Sequence, residues 1–221
     1  MLDRIKVLAL GGLDEEGRDC YIIEINDKIF IVDCGMSLPD RTVPGIDAFL
    51  PNFDYVIKNK DKVLAYIITH GHDEEMGAIK YFFNKVPAPI YCTREAQGFI
   101  IAQAIMYGIN PKFDFRIIGP SDDLNIGGVD IRLFQTCHNM VSSFGVCFKT
   151  NRGNIVYTSD FIVDFTVKDP GYVFDIHKLA MISEEKTFLL LSESKGALLD
   201  GYCAPRHRVT KKNEKLFQQE K

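Results

Sequence analysis

Val63-Leu64-Ala65-Tyr66-Ile67-Ile68-Thr69-His70-Gly71-His72-Asp73-Glu74-Glu75-Met76-Gly77 is the stretch on which the reading of this chain turns. Its first half is a nearly continuous apolar run, the pattern of a strand buried on both faces. The run ends in two histidines separated by one glycine. Side chains alternate in extended backbone, so residues i and i+2 can point the same way, and Gly71 allows a tight turn between them. Asp73, Glu74 and Glu75 follow at a predicted helix start, where the helix dipole favours negative charge. This is the densest group of metal-capable side chains in the sequence.

Upstream, residues 5–10 (IKVLAL), 20–25 (CYIIEI) and 28–35 (KIFIVDCG) read as strands, with Asn26-Asp27 as a hairpin turn between the last two. A Pro- and Asp-rich loop spans 36–51, and 53–63 reads as a helix. Downstream, 74–86 is predicted helical up to Pro87, 89–93 is a short strand, and 93–108 is a helix stopped by Gly108. Residues 113–119, 128–136, 142–150 and 153–161 read as strands, 174–186 as a helix and 187–194 as a final strand. Two strand-rich halves with flanking helices imply an α/β fold of two packed sheets covered by helices on their outer faces.

Three further candidates sit at predicted strand ends: Asp33, His138 and Asp160. Taken singly, each has a structural explanation. His138 alone reads as a satisfied structural histidine, Asp33 and Asp160 as turn formers or caps, and the 73–75 carboxylates as an acidic first helical turn. His177, within a helical pattern and without such neighbours, reads as structural. The joint pattern is different. A His-x-His loop with single His and Asp residues at later strand ends is what a hydrolytic metal site needs: imidazole and carboxylate hold the ion, and an open position holds water.

Composition narrows the class. With 46% hydrophobic and 25% charged residues, the 221-residue chain is ordinary for a globular protein. No apolar run approaches the roughly 18–20 residues of a membrane span, and the amino terminus lacks the features of a secretory signal, so a cytoplasmic location with no membrane association is expected. Six scattered cysteines contain no Cys-x-x-Cys pair and read as buried reduced thiols. A net charge of −4 gives no chain-wide electrostatic footprint for nucleic acid. Residues 206–215 are locally basic, with Arg206, Arg208, Lys211 and Lys212 as candidate RNA contacts, although a solvated or frayed terminus is the more economical reading.

In chain order, Leu10-Gly11-Gly12-Leu13-Asp14-Glu15, Val32-Asp33-Cys34-Gly35, Gly45-Ile46-Asp47, Pro51-Asn52-Phe53-Asp54-Tyr55, Thr69-His70-Gly71-His72, Thr136-Cys137-His138, Thr158-Ser159-Asp160-Phe161 and Leu191-Ser192-Glu193-Ser194 resemble the amino-terminal part of ribonuclease J. That family belongs to the metallo-β-lactamase superfamily, carries an inserted β-CASP domain, and degrades RNA in bacteria as metal-dependent exo- and endonucleases. The resemblance implies an αββα sandwich, incomplete at its carboxy terminus, with a core over 1–195 and a basic tail over 196–221 that begins a truncated β-CASP region. It implies His70, His72 and His138 as a first metal site and Asp160 as the carboxylate bridging two metals. Asp33 would orient the His loop, and Glu193 would be the acidic residue of the first β-CASP motif. Zinc, one or two ions per chain, and single-stranded RNA are the implied cofactor and substrate.

The chain departs from the family's His-x-His-x-Asp-His loop at its last two positions, Glu74 and Glu75. Glu74 keeps a carboxylate and, with Asp160, stays a candidate catalytic residue. Glu75 replaces an imidazole, and oxygen ligands suit Mn²⁺ or Mg²⁺ at the altered second site. Added negative charge also repels a phosphodiester. The expected protein is a ribonuclease J-like RNA hydrolase of weakened activity. The alternatives are a non-catalytic paralogue that binds RNA or pairs with an active ribonuclease J or with itself, and a small-substrate metallo-hydrolase.

Overall fold

The computed structural model describes residues 1–40, 43–201, 213 and 215–218. Strands β1 (Ile5–Gly11), β2 (Cys20–Ile25), β3 (Lys28–Val32), β4 (Val63–Ile67), β5 (Ile90–Cys92) and β6 (Phe115–Ile117) form one sheet in that order. The first three run antiparallel, and β3 to β6 are parallel. The β2–β3 hairpin turns at Asn26 and Asp27, whose φ values of 51° and 64° are the left-handed pair that a tight primed turn requires.

The second sheet has the order β11 (Thr187–Leu191), β10 (Asn154–Tyr157), β9 (Phe144–Phe148), β8 (Val129–Gln135) and β7 (Asp123–Ile126), with only β10–β11 parallel. Period-two alternation gives each sheet two apolar faces. Tyr21, Ile23, Phe30, Val32, Ala65 and Ile67 of the first sheet meet Ile131, Leu133, Phe144, Val146, Phe148 and Ile155 of the second. The opposite face of the first sheet, with Ile22, Ile31, Tyr66 and Ile68, packs on α1 (Asp54–Lys58), α3 (Ile79–Phe82) and α4 (Arg94–Met106) through Val56, Ile79, Phe82 and Ile100. The outer face of the second sheet, with Phe134, Cys147 and Val156, is covered by Ile182 of α5 (Ile176–Ser183). The architecture is therefore the expected αββα sandwich.

Several elements differ from the sequence reading. The helix expected over 74–86 is two short helices, α2 (Asp73–Met76) and α3. Close packing breaks it: a Cβ on Gly77 would lie 2.5 Å from Met36 Cγ, and Ala78 N–H donates to the Cys34 carbonyl at 2.8 Å instead of continuing the helical ladder. The helix expected over 53–63 shortens to α1 plus a single 3₁₀ turn at Lys60–Lys62. Strand β7 lies in a stretch read as a connection. It closes onto β8 through Gly127 and Gly128, both at positive φ. Cys20, Cys34, Cys92, Cys137 and Cys147 are free and buried, as expected. No helix among the described residues is long and apolar enough to cross a membrane.

Candidate metal centre

The parallel strand β4 delivers Thr69, His70 and His72 to one edge of the sandwich, beside the ends of β3, β8 and β10. The segment after β3 is stitched to the His loop. Cys34 N–H donates to the Glu75 carbonyl at 2.6 Å, Met36 N–H to Asp73 at 2.9 Å, and Gly35 N–H to Asp19 at 2.9 Å. Only glycine fits at position 35, because a Cβ there would lie 1.5 Å from the Glu74 carbonyl oxygen. Across the cleft, Ile162 N–H donates to the Cys137 carbonyl at 2.7 Å, which ties the strand end carrying His138 to the one carrying Asp160.

One ligand atom from each of His70, His72, His138 and Asp160 lies within 4.8 Å of the other three. His72 Nδ1 is 3.0 Å from His70 Nε2 and 3.2 Å from His138 Nε2, and His138 Nε2 is 3.6 Å from Asp160 Oδ2. Burial pulls the His70 pKa down to about 4. Burial, together with the neighbouring His70 and His72, pulls His138 down to about 3. Both imidazoles are neutral at physiological pH, the form that ligates metal. Three neutral ring nitrogens this close either share protons or turn lone pairs toward a common cation. The donor set of three imidazoles and one carboxylate fits a divalent ion.

Asp33 sits beneath this cluster, fully buried at the end of β3 with φ 57°. Its Oδ1 accepts Thr69 N–H at 2.8 Å, both oxygens lie 3.0 Å from Thr69 Oγ1, and Oδ2 accepts the Tyr157 hydroxyl at 3.0 Å. Thr69 Oγ1 also lies 3.2 Å from His70 Nδ1. With the Thr69 hydroxyl proton directed at Asp33, its oxygen accepts from His70 Nδ1–H, which leaves the Nε2 lone pair facing the cluster.

Glu75 is buried, and its Oε2 is the one buried side-chain oxygen among the described residues that lacks a hydrogen-bond partner. It lies 3.1 Å from His70 Nε2 without hydrogen-bonding geometry. Burial, and then Asp160, hold its carboxyl well above the usual range. Glu74 is exposed on the cavity wall. Glu193, after β11, accepts Phe161 N–H at 3.0 Å and lines the same cavity. His177 lies exposed in α5 and outside the cluster. Arg206, Arg208, Lys211 and Lys212 lie outside the described residues.

The cavity over the cluster has a volume of about 640 Å³ and is lined by the carboxylates Asp14, Glu15, Glu16, Asp19, Glu74, Glu75, Asp160 and Glu193. Among the described residues lining it, Lys195 is the one permanent cation, and it pairs with Glu16. Sequence reasoning missed Asp19. It is held between the His loop and Gly35, with its N–H donating to the Glu74 carbonyl at 2.8 Å. Burial, and then Asp160, raise its carboxyl to about 7. Its place directly before strand β2, facing the end of β3, was the available signal.

Comparison with known proteins agrees with this geometry. A family model described as the metallo-beta-lactamase superfamily matches residues 13–195. The chain is 36% identical over 208 residues to ribonuclease J2 of Bacillus subtilis (strain 168), and 34% identical over 205 residues to ribonuclease J 2 of Staphylococcus aureus (strain NCTC 8325 / PS 47). Those alignments cover 94% and 93% of this chain, and the chain spans 37% of the length of each relative. Among solved structures it resembles Rm3 metallo-beta-lactamase, with a TM-score of 0.50 and 15% identity over 84% of this chain and 74% of that one. With two sheets meeting at a histidine- and aspartate-lined edge and a family model spanning most of its length, the chain belongs to the metallo-β-lactamase superfamily.

Proposed function

We propose that this chain carries the metal centre of a ribonuclease J-like hydrolase that cleaves phosphodiester bonds in single-stranded RNA, with activity weakened by Glu74 and Glu75. The observation that carries this reading is the convergence of His70, His72, His138 and Asp160, the last three lining an open cavity and His70 buried beside them. Similarity to the two ribonuclease J2 proteins supports the substrate class.

In this reading His70, His72 and His138 would hold a first ion, and Asp160, in the same cluster, would supply a carboxylate ligand. A bound divalent ion, zinc at the first position, supplies an acidified water and neutralises charge on the reacting phosphate. Glu74, exposed on the cavity wall, would be the carboxylate placed to accept a proton from water there. Asp33 keeps Thr69 and His70 in one orientation. Glu75 and Glu74 offer oxygen ligands at the second position, which suit Mn²⁺ or Mg²⁺. Weak activity follows from the wall of the cavity, where the carboxylates far outnumber Lys195 and repel an incoming polyanion. The reading includes a cytoplasmic location.

A second reading, a non-catalytic copy that binds RNA or pairs with an active ribonuclease J or with itself, is favoured by the buried carboxylate of Glu75 beside His70. The test is degradation of an end-labelled single-stranded RNA by purified protein with Zn²⁺ or Mn²⁺, wild type beside His70→Ala. Slow cleavage that the variant lacks supports the hydrolase. RNA retention without cleavage above the variant's background favours the second reading.

A further inference from the structure

Lys80 sits in α3 among apolar neighbours and is buried. Its Nζ donates to the Gly77 carbonyl and, at 2.7 Å, to Gln103 Oε1 of α4, and it lies 3.6 Å from Met36 Sδ. The rings of Tyr81 and Tyr107 flank it, with centroids 4.7 and 4.4 Å from Nζ. Gln103 passes the interaction on. Because its Oε1 accepts from Lys80, its Nε2 faces Asp73 and donates to Asp73 Oδ1. A cation and a carboxylate on different helices are therefore joined through one amide.

Asp73 directly follows His72 and opens α2. Its carbonyl accepts Met36 N–H and Gly77 N–H, both at 2.9 Å, so its main chain is anchored as well as its side chain. A buried ammonium is costly, and a methionine or leucine would fill the same space without that cost. Charge at this position adds direction. It fixes which way the Gln103 amide faces, and through that amide the rotamer of Asp73 and the entry of the chain into α2.

We propose that Lys80 is a positioning residue for His72, acting through Gln103 and Asp73 to hold the His70–His72 loop in the geometry that receives a metal ion. The inference rests on the metal-centre reading above. Outer residues that orient metal ligands typically change metal affinity by roughly 10- to 100-fold when removed.

The test measures the Zn²⁺ affinity of the full chain by competition with a chromophoric chelator, for wild type, Gln103→Leu, Lys80→Met and the double variant. Metal-free unfolding midpoints are measured alongside, and the visible absorption of the Co²⁺-loaded proteins reports ligand geometry. Each single change is expected to weaken Zn²⁺ binding by roughly 10- to 100-fold and to shift the Co²⁺ spectrum. The double variant should lose no more than the weaker-binding single, because both changes break one chain of contacts. Should Lys80→Met fail to fold, Gln103→Leu alone decides. Variants that are less stable but keep wild-type Zn²⁺ affinity and Co²⁺ spectrum would overturn the positioning role and leave the metal centre standing. A wild-type chain that binds no Zn²⁺ would overturn both.

Discussion

Asp33 and Thr69 are joined by the backbone N–H and the hydroxyl of the threonine, at 2.8 and 3.0 Å to the same carboxylate oxygen. This pairing connects the end of β3 to the end of β4 and reaches the histidine–aspartate cluster through the 3.2 Å contact between Thr69 Oγ1 and His70 Nδ1. Removing the carboxylate leaves the Thr69 N–H and the Tyr157 hydroxyl buried without partners, at about 1–3 kcal/mol for each orphaned group. Asp33→Ala should therefore lower the free energy of unfolding by about 3 kcal/mol, read from urea denaturation in chelator. It should also weaken Zn²⁺ binding by roughly 10- to 100-fold, since the His70 tautomer is no longer enforced.

The Asp19 carboxyl, raised to about 7 chiefly by burial and by Asp160, gives a pH signature. Its folded-state pKa lies above the unfolded value of about 3.8, so the folded state binds the extra proton between these values. The stability tied to this proton is fully present below the unfolded pKa and is lost as pH rises through the folded one. In chelator, Asp19→Asn should thus gain on wild type steadily from about pH 4 to pH 7 and little beyond. Thermal unfolding of both proteins across that range is the measurement, and a constant difference would contradict the assignment.

Glu75 leads to paired effects of opposite sign. Its Oε2 is buried without a hydrogen bond and lies 3.1 Å from His70 Nε2. Folding holds the Glu75 carboxyl well above its usual range, a cost present at pH 8 in either protonation state, and Glu75→Gln removes it, so metal-free stability at pH 8 should rise by about 1–3 kcal/mol. If Glu75 is an anionic ligand at the second position, the same change removes it, so the stabilisation conferred by millimolar Mn²⁺ should shrink. Unfolding midpoints with chelator and with Mn²⁺ check both halves. A gain in metal-free stability with an undiminished Mn²⁺ effect would take Glu75 out of the metal site.

Much of this was legible from local pattern. The apolar run 63–69 ending in His70-Gly71-His72 located β4 and the centre together, because a buried parallel strand and its terminal loop are adjacent in sequence. The Asn26-Asp27 turn was equally local. Asp33, His138 and Asp160 were found as polar residues closing apolar runs, and their convergence followed from the packing of the two sheets. Features set by contacts between distant segments were hidden. The break between α2 and α3 depends on Met36 and Cys34 reaching Gly77 and Ala78. Strand β7 alternates polar and apolar residues, but over only four positions, too few to stand out from a connection. Asp19 and Lys80 belong to loops or helices whose burial only the assembled fold reveals.

The central claim is that His70, His72, His138 and Asp160 hold an ion, and metal content after purification without chelators tests it most directly, with wild type beside His72→Ala. His72 Nδ1 lies within 3.2 Å of both other imidazoles, so its loss removes the middle of the donor set. The account predicts about one tightly held divalent ion per chain in wild type and none in the folded variant. Equal metal content in the two proteins, or none in either, would contradict it.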